Sequence, residues 1–147
     1  MADFSIDADR FGKSMRSILD HVGDGVVTEM PNVVRAGLKV GAREWRRGAR
    51  QYFKEGRKYK KHGKVHTTGA YAKSIRSHLL SKNENSPVGE IGSPKMPGLP
   101  HLLENGHARS GGGTVRGRIH IAPAADAAFK ATEQAADDMV GRVLDDA

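Results

Sequence analysis

The sequence predicts an α+β fold: N-terminal helices including one long helix, a small antiparallel sheet and a C-terminal helix. Three observations carry this. Apolar residues recur at helical spacing through the first third, two middle stretches alternate with period two, and helical spacing returns behind Pro123. At 147 residues the chain has the size of a single domain, 1–147, with a small core. It divides into a helical region (1–55), a basic loop (56–68), strands and loops (69–121) and the C-terminal helix (122–147).

The first expected helix opens at Asp7, where Ile6 and Phe11 occupy the positions of a hydrophobic staple. Phe11, Met15, Ile18 and Val22 continue at helical spacing, and Gly23-Asp24-Gly25 is the expected stop. A second, longer helix is expected from about Thr28, which puts Pro31 in its first turn. Met30, Val34, Leu38, Gly41, Trp45, Ala49 and Tyr52 form its apolar stripe. Gly37, Gly41 and Gly48 each weaken a helix by up to about 1 kcal/mol relative to Ala. Small residues on such a stripe imply that another backbone approaches closely.

From Gly56 to Thr68, GRKYKKHGKVHTT has little to bury and many like charges, which predicts a mobile loop. After Gly69 the period becomes two. Ile75, Ser77 and Leu79 alternate with Arg76, His78 and Leu80, and Val88 and Ile91 mark a partner strand across SKNENSP. A third strand is expected in TVRGRIHIAP, with Val115, Gly117, Ile119 and Ile121 on one side and a basic face of Arg116, Arg118 and His120 on the other. Pro123 then sits at a helix N1, and Phe129, Thr132, Ala136, Met139 and Val143 carry the last helix to Leu144.

No apolar run approaches the roughly 20 residues of a membrane span, and MADFSIDADRF carries acid where a leader would carry Lys or Arg, so a soluble, unexported chain is expected. The absence of cysteine excludes disulfides, Cys-ligated zinc and thiol catalysis. The formal charge is +7, unevenly spread. Arg43, Arg46, Arg47, Arg50, Lys54, Arg57, Lys58, Lys60, Lys61 and Lys64 face only Glu44 and Glu55, an excess that exceeds the net charge of the whole chain. Interleaved with Trp45, Tyr52, Phe53 and Tyr59, these cations suit a phosphate backbone, bound without sequence specificity; a solvated helix face and loop is the equal alternative.

LPHLLENGHARSGGG, residues 99–113, raises the question of a metal or phosphate site. His101, Glu104 and His107 lie three apart, whereas the zinc helix places its histidines four apart with Glu beside the first. A metal-dependent hydrolase on these three residues is therefore the weakest reading. SGGGT lacks the Gly-Lys-Ser/Thr ending of a nucleotide loop and the GxGxxG spacing of a dinucleotide fold. No GxSxG elbow is present either. The pattern predicts no enzyme and implies no cofactor.

TTGAYAKSI (Thr67–Ile75) and GLPHLLENGHARSGGGTVRGRIHIAPAADAA (Gly98–Ala128) resemble the two signature blocks of a tailed-bacteriophage family. Its members are minor structural proteins of lambdoid-type long-tailed phages, called tail-completion, head-tail connector or minor capsid proteins. Thr68, Gly69, Tyr71 and Ser74 match the first block; His101, Leu102, Leu103, Glu104, Gly106, His107, Pro123 and Ala124 match the second. Asn105 departs from the aromatic residue common before the glycine, and the first 25 residues are not distinctive. The resemblance implies a subunit of the virion neck, made in the bacterial cytoplasm. It would assemble as a ring of its own copies and contact portal-side, neck and tail proteins. The basic segment would then line a channel that meets packaged DNA or dock on an acidic partner ring. For 99–113 the resemblance favours structure: Leu102 and Leu103 bury the turn, Glu104 accepts hydrogen bonds from backbone or pairs with a cation, Gly106 supplies a positive φ, and the glycine run is an adaptable loop.

Overall fold

The computed structural model describes residues 8–53, 58–61, 64–67, 69–81 and 86–146, with side chains for these except 8–12, 58–61 and 64–67. The architecture is α+β. α1 runs from Ala8 to Tyr52, β1 and β2 cover Lys58–Lys61 and Lys64–Thr67, and α2 is Ala70–Ser74. β3 (Arg76–Ser81) and β4 (Val88–Gly92) precede α3 (Leu99–Asn105), β5 (Gly106–Ala108), β6 (Thr114–Arg116) and α4 (Ala122–Asp145).

The two expected N-terminal helices are one helix of 45 residues. Gly23-Asp24-Gly25 does not end it, and Pro31 lies in its interior, buried, where it cannot donate to the Val27 carbonyl. Tertiary packing overrides these local stop signals, because α4 lies antiparallel along α1. A Cβ on Gly25 would meet Val143 Cγ1 at 2.9 Å, one on Gly37 would strike Thr132 Oγ1 and the Ala128 carbonyl, one on Gly41 would meet Ala128 Cβ at 2.7 Å, and one on Gly48 would meet His120 Cβ at 3.1 Å. The glycines expected to admit a close neighbour do so: for Gly37 and Gly41 it is the last helix, joined at Gly41 by Ile91 of β4, and for Gly48 it is His120, just before that helix. Tyr52, assigned to the stripe, is exposed.

The segment expected to be a mobile loop contains a hairpin. β1 and β2 pair antiparallel, Lys58 opposite Thr67 and Lys61 opposite Lys64. Two residues separate them in the sequence, the second a glycine, which is the spacing of a tight hairpin. β3 and β4 pair as expected, with Ser77 opposite Ile91 and a register shift between Leu79 and Ser81. Instead of one sheet there are three two-stranded ribbons among the described residues.

The third expected strand stops at Arg116. A Cβ on Gly117 would overlap the Glu104 carbonyl and crowd Gly106 N, so backbone crosses backbone there. Alternation ends with it: Ile119, expected on the apolar side, is exposed, and His120, assigned to a basic face, is buried. β6 pairs with β5, which was not expected, and the RSGGG stretch is the turn between them. Arg109 and Gly113 bond through N–H to carbonyl at 3.0 Å, and Gly112 and Gly113 take positive φ of 89° and 82°. The main core gathers Trp45 and Ala49 of α1, Tyr71 and Ala72 of α2, Ile75, and Ala124 of α4, with Phe53, Ile91, Leu103 and Ile121 packed around it.

Candidate functional site

The residues with most chemistry in the core form one hydrogen-bonded chain. Trp45 Nε1 donates to Tyr71 Oη at 2.8 Å, and Tyr71 Oη lies 2.8 Å from His120 Nε2. On its other side, His120 Nδ1 faces Glu104 Oε2 at 2.8 Å and the Arg118 carbonyl at 2.6 Å. Two acceptors at Nδ1 place the ring proton there, so Nε2 accepts the phenol proton and every polar atom has a partner. Phe53 packs edge-on against both Tyr71 and His120, with centroids 5.7 and 5.3 Å away.

Each member arrives from a different element. α1 brings Trp45 to its α4-facing seam. Gly69, at φ 101°, starts the short α2 that carries Tyr71 inward. Glu104 comes from the last turn of α3, which ends at Gly106 with the positive φ expected of it, 84°. Its carboxylate accepts three backbone N–H groups, from His120 at 2.7 Å, Ile121 at 3.0 Å and Ala122 at 3.2 Å. These are donors at the start of α4, where Pro123 removes one more unpaired N–H from the first turn. Of the two roles anticipated for Glu104, backbone acceptor is realised; in place of a cation it meets the His120 ring.

Electrostatics follow from this placement. Burial pushes the Tyr71 phenol up to about 12, and the neighbouring Glu104 charge adds to the effect against the opposing Trp45 hydrogen bond. Burial acts upward on Glu104 as well, but the three N–H bonds and His120 outweigh it and hold the carboxyl below its ordinary value. Carboxylate, imidazole and hydroxyl stand in the order of a nucleophilic triad. Tyr71 is 5 % exposed and His120 2 %, and a phenol raised in this way is the reverse of an activated nucleophile, so the chain's evident work is to lock α1, α2, α3 and α4 together.

No protein-family model, curated protein or solved structure matches this chain. Its own geometry therefore carries the reading of each expected site residue. Tyr71, Glu104, Pro123 and the two glycines meet around the polar chain. Ser74 joins them through its carbonyl partner Tyr71 and through Ser93, 2.5 Å away. Leu103 packs on the core, whereas Leu102 is exposed and does not bury the turn. His101 is exposed on α3; His107 stands in β5 with a buried Nδ1 that has no hydrogen-bond partner. Among the described residues no three His, Asp or Glu side chains converge as metal ligands, and Glu104 faces α4 rather than His101 and His107. Thr68 lies outside the described residues.

The basic segment is not one uniform surface. Arg46 donates from Nε and Nη2 to the Ile75 carbonyl at 3.2 and 2.9 Å, clamping the end of α2 to α1. Arg43 and Arg47 flank Glu44 at 3.5 and 3.2 Å with largely exposed side chains. Arg50 stands in the last turn of α1, where a cation complements the helix end. Lys58, Lys60 and Lys61 belong to β1 and Lys64 to β2; Lys54 and Arg57 lie outside the described residues. Trp45, interleaved with these cations in the sequence, is buried and cannot stack on a base. Sequence reasoning missed the role of His120, whose signal was only the Gly117 that breaks the strand before it.

Proposed function

We propose that this chain is a virion assembly protein of a long-tailed phage, a tail-completion or head-tail connector subunit at the neck that works by forming a ring of its own copies. The observation that carries the reading is that several residues of the two phage-like blocks are framework, although His101 and Leu102 are exposed. Gly69, Tyr71, Ser74, Glu104, Gly106 and Pro123 build the buried chain and its turns, as the parts of a subunit scaffold would. Its working surfaces are then the outer faces of the helices and the basic segment, which meets packaged DNA or an acidic partner ring.

Electron microscopy of a lysate from a phage or prophage lacking this gene tests it. DNA-filled heads beside separate tails are expected; normal infectious particles would overturn the reading.

A second reading, nonspecific nucleic-acid binding, is favoured by the exposure of Arg43 and Arg47 and by the four lysines that the β1–β2 hairpin carries in its sequence. It requires affinity for random duplex that falls by orders of magnitude over a few-fold rise in salt. Binding that is absent at low salt eliminates it.

A further inference from the structure

The β1–β2 hairpin carries charge that nothing in its own sequence opposes. From Gly56 to Asn83 there is no acidic residue, and Lys58, Lys60, Lys61 and Lys64 all fall within the two paired strands. Register fixes how they divide. Lys58 stands opposite Thr67 and Lys60 opposite Val65, which places these four residues on one face of the ribbon; Tyr59 opposite His66 and Lys61 opposite Lys64 make up the other. Each face therefore holds two lysines.

This ribbon is not part of the core. β1 and β2 pair with each other, and among the described residues neither packs on a helix or on another strand to any comparable extent. A two-stranded hairpin by itself is marginal in water, and like charges directly opposite each other, as at Lys61 and Lys64, destabilise it further. Anions along both faces would relieve that repulsion.

We propose that the hairpin is a β-ribbon arm that enters the major groove of duplex DNA end-on, with each face towards one phosphate wall. Dimensions favour this partner. A ribbon is about 10 Å thick, judged by the spacing at which sheets stack, and the major groove is about 12 Å wide against about 6 Å for the minor groove. Four residues of strand reach about 13 Å, enough for a groove about 8.5 Å deep. The division of charge favours it as well. An acidic protein surface meets one face of a ribbon and leaves the lysines of the other unneutralised, whereas a groove has phosphates along both walls. Contacts from ammonium to phosphate carry no sequence information, so the binding is nonspecific. This deepens the nucleic-acid reading and rests on it, placing one element inside the groove where that reading has only a basic segment beside the backbone.

The test uses the full-length chain and a random-sequence duplex, with binding followed by fluorescence anisotropy across a salt series. The double variants Lys58→Ser/Lys60→Ser and Lys61→Ser/Lys64→Ser, one for each face, are each expected to lower the salt slope by about two and to keep the thermal midpoint of the parent. A duplex whose cytosines carry bulky glucosyl-hydroxymethyl groups keeps its phosphates but has its major groove filled, and it is expected to bind roughly tenfold or more weakly than the plain duplex. Equal affinity for the filled and the open duplex overturns the proposal. So does a slope that responds to only one of the two double variants, which would mean a ribbon lying flat on its partner. If DNA binding survives replacement of all four lysines, the nucleic-acid reading stands and the ribbon arm falls. No binding of duplex by the parent at low salt removes both, and saturable binding of polyglutamate in its place would assign the hairpin to an acidic protein partner.

Discussion

Glu104 Oε2 accepts the backbone N–H of His120 at 2.7 Å and faces the ring Nδ1 of the same residue at 2.8 Å. One carboxylate thus caps α4 and sets the tautomer that lets His120 accept from Tyr71. Glu104→Ala leaves three N–H groups without their acceptor and His120 Nδ1 with the Arg118 carbonyl alone, and a loss of about 2–4 kcal/mol in urea unfolding is expected. Glu104→Gln, which keeps one acceptor oxygen, should lose less. A change under 0.5 kcal/mol for Ala would refute the capping role.

Stability should fall at both ends of the pH scale, for two named reasons. The Glu104 carboxyl is lowered in the folded state, so the unfolded chain binds its proton more readily, and this stabilisation, present above about 4.5, is lost as pH falls below that value. The Tyr71 phenol is raised, so its contribution is complete below pH 10 and lost as pH rises towards about 12. Denaturation midpoints across pH for the parent, Glu104→Gln and Tyr71→Phe chains check this; each variant should flatten one limb and leave the other.

Two glycines in helices should respond with opposite sign. Gly141 of α4 has no atom within 4 Å of a built Cβ, so Gly141→Ala should stabilise by roughly 0.5–1 kcal/mol. Gly37→Ala drives a methyl into Thr132 and the Ala128 carbonyl and should destabilise by about 1–3 kcal/mol. Thermal melts of the two variants decide it, and equal shifts would mean that α4 does not lie against α1 as described.

The arginines of the basic segment should separate in the same way. Arg46→Ala loses the clamp on Ile75, at an expected cost of about 1–3 kcal/mol. Arg43→Ser and Arg47→Ser should stay within about 0.5 kcal/mol of the parent, their pairs with Glu44 being solvent-screened. If the segment binds nucleic acid, each of the latter should lower the salt slope by about one. A fold-neutral Arg46→Ala would overturn the clamp.

What was legible in the sequence was local. β3 and β4, the start of α4 at Pro123 and the positive φ of Gly106 each follow from a few adjacent residues, and the fold class follows from them. The polar chain is not local: it joins positions 45, 71, 104 and 120, which no period relates. His120 read as part of a basic strand face because alternation was carried through Gly117, and only the approach of the Glu104 backbone reverses it. The glycines of α1 were legible as a close-approach surface but not as a reason for the helix to pass through Gly23-Asp24-Gly25, since that depends on a partner about a hundred residues away.

That partner has a consequence for how the chain is made. On the ribosome α1 is covered by α4, which is synthesised after it, with roughly seventy residues between them. At about 5–20 residues per second, the seam of α1 waits on the order of 4 to 14 s before α4 can reach it. During that interval β4 can already meet the apolar, glycine-lined strip at Gly41 and Leu38, while the parts around Gly25 and Gly37 still lack their neighbour. Shielding of that strip during synthesis is therefore expected to raise the yield of folded chain.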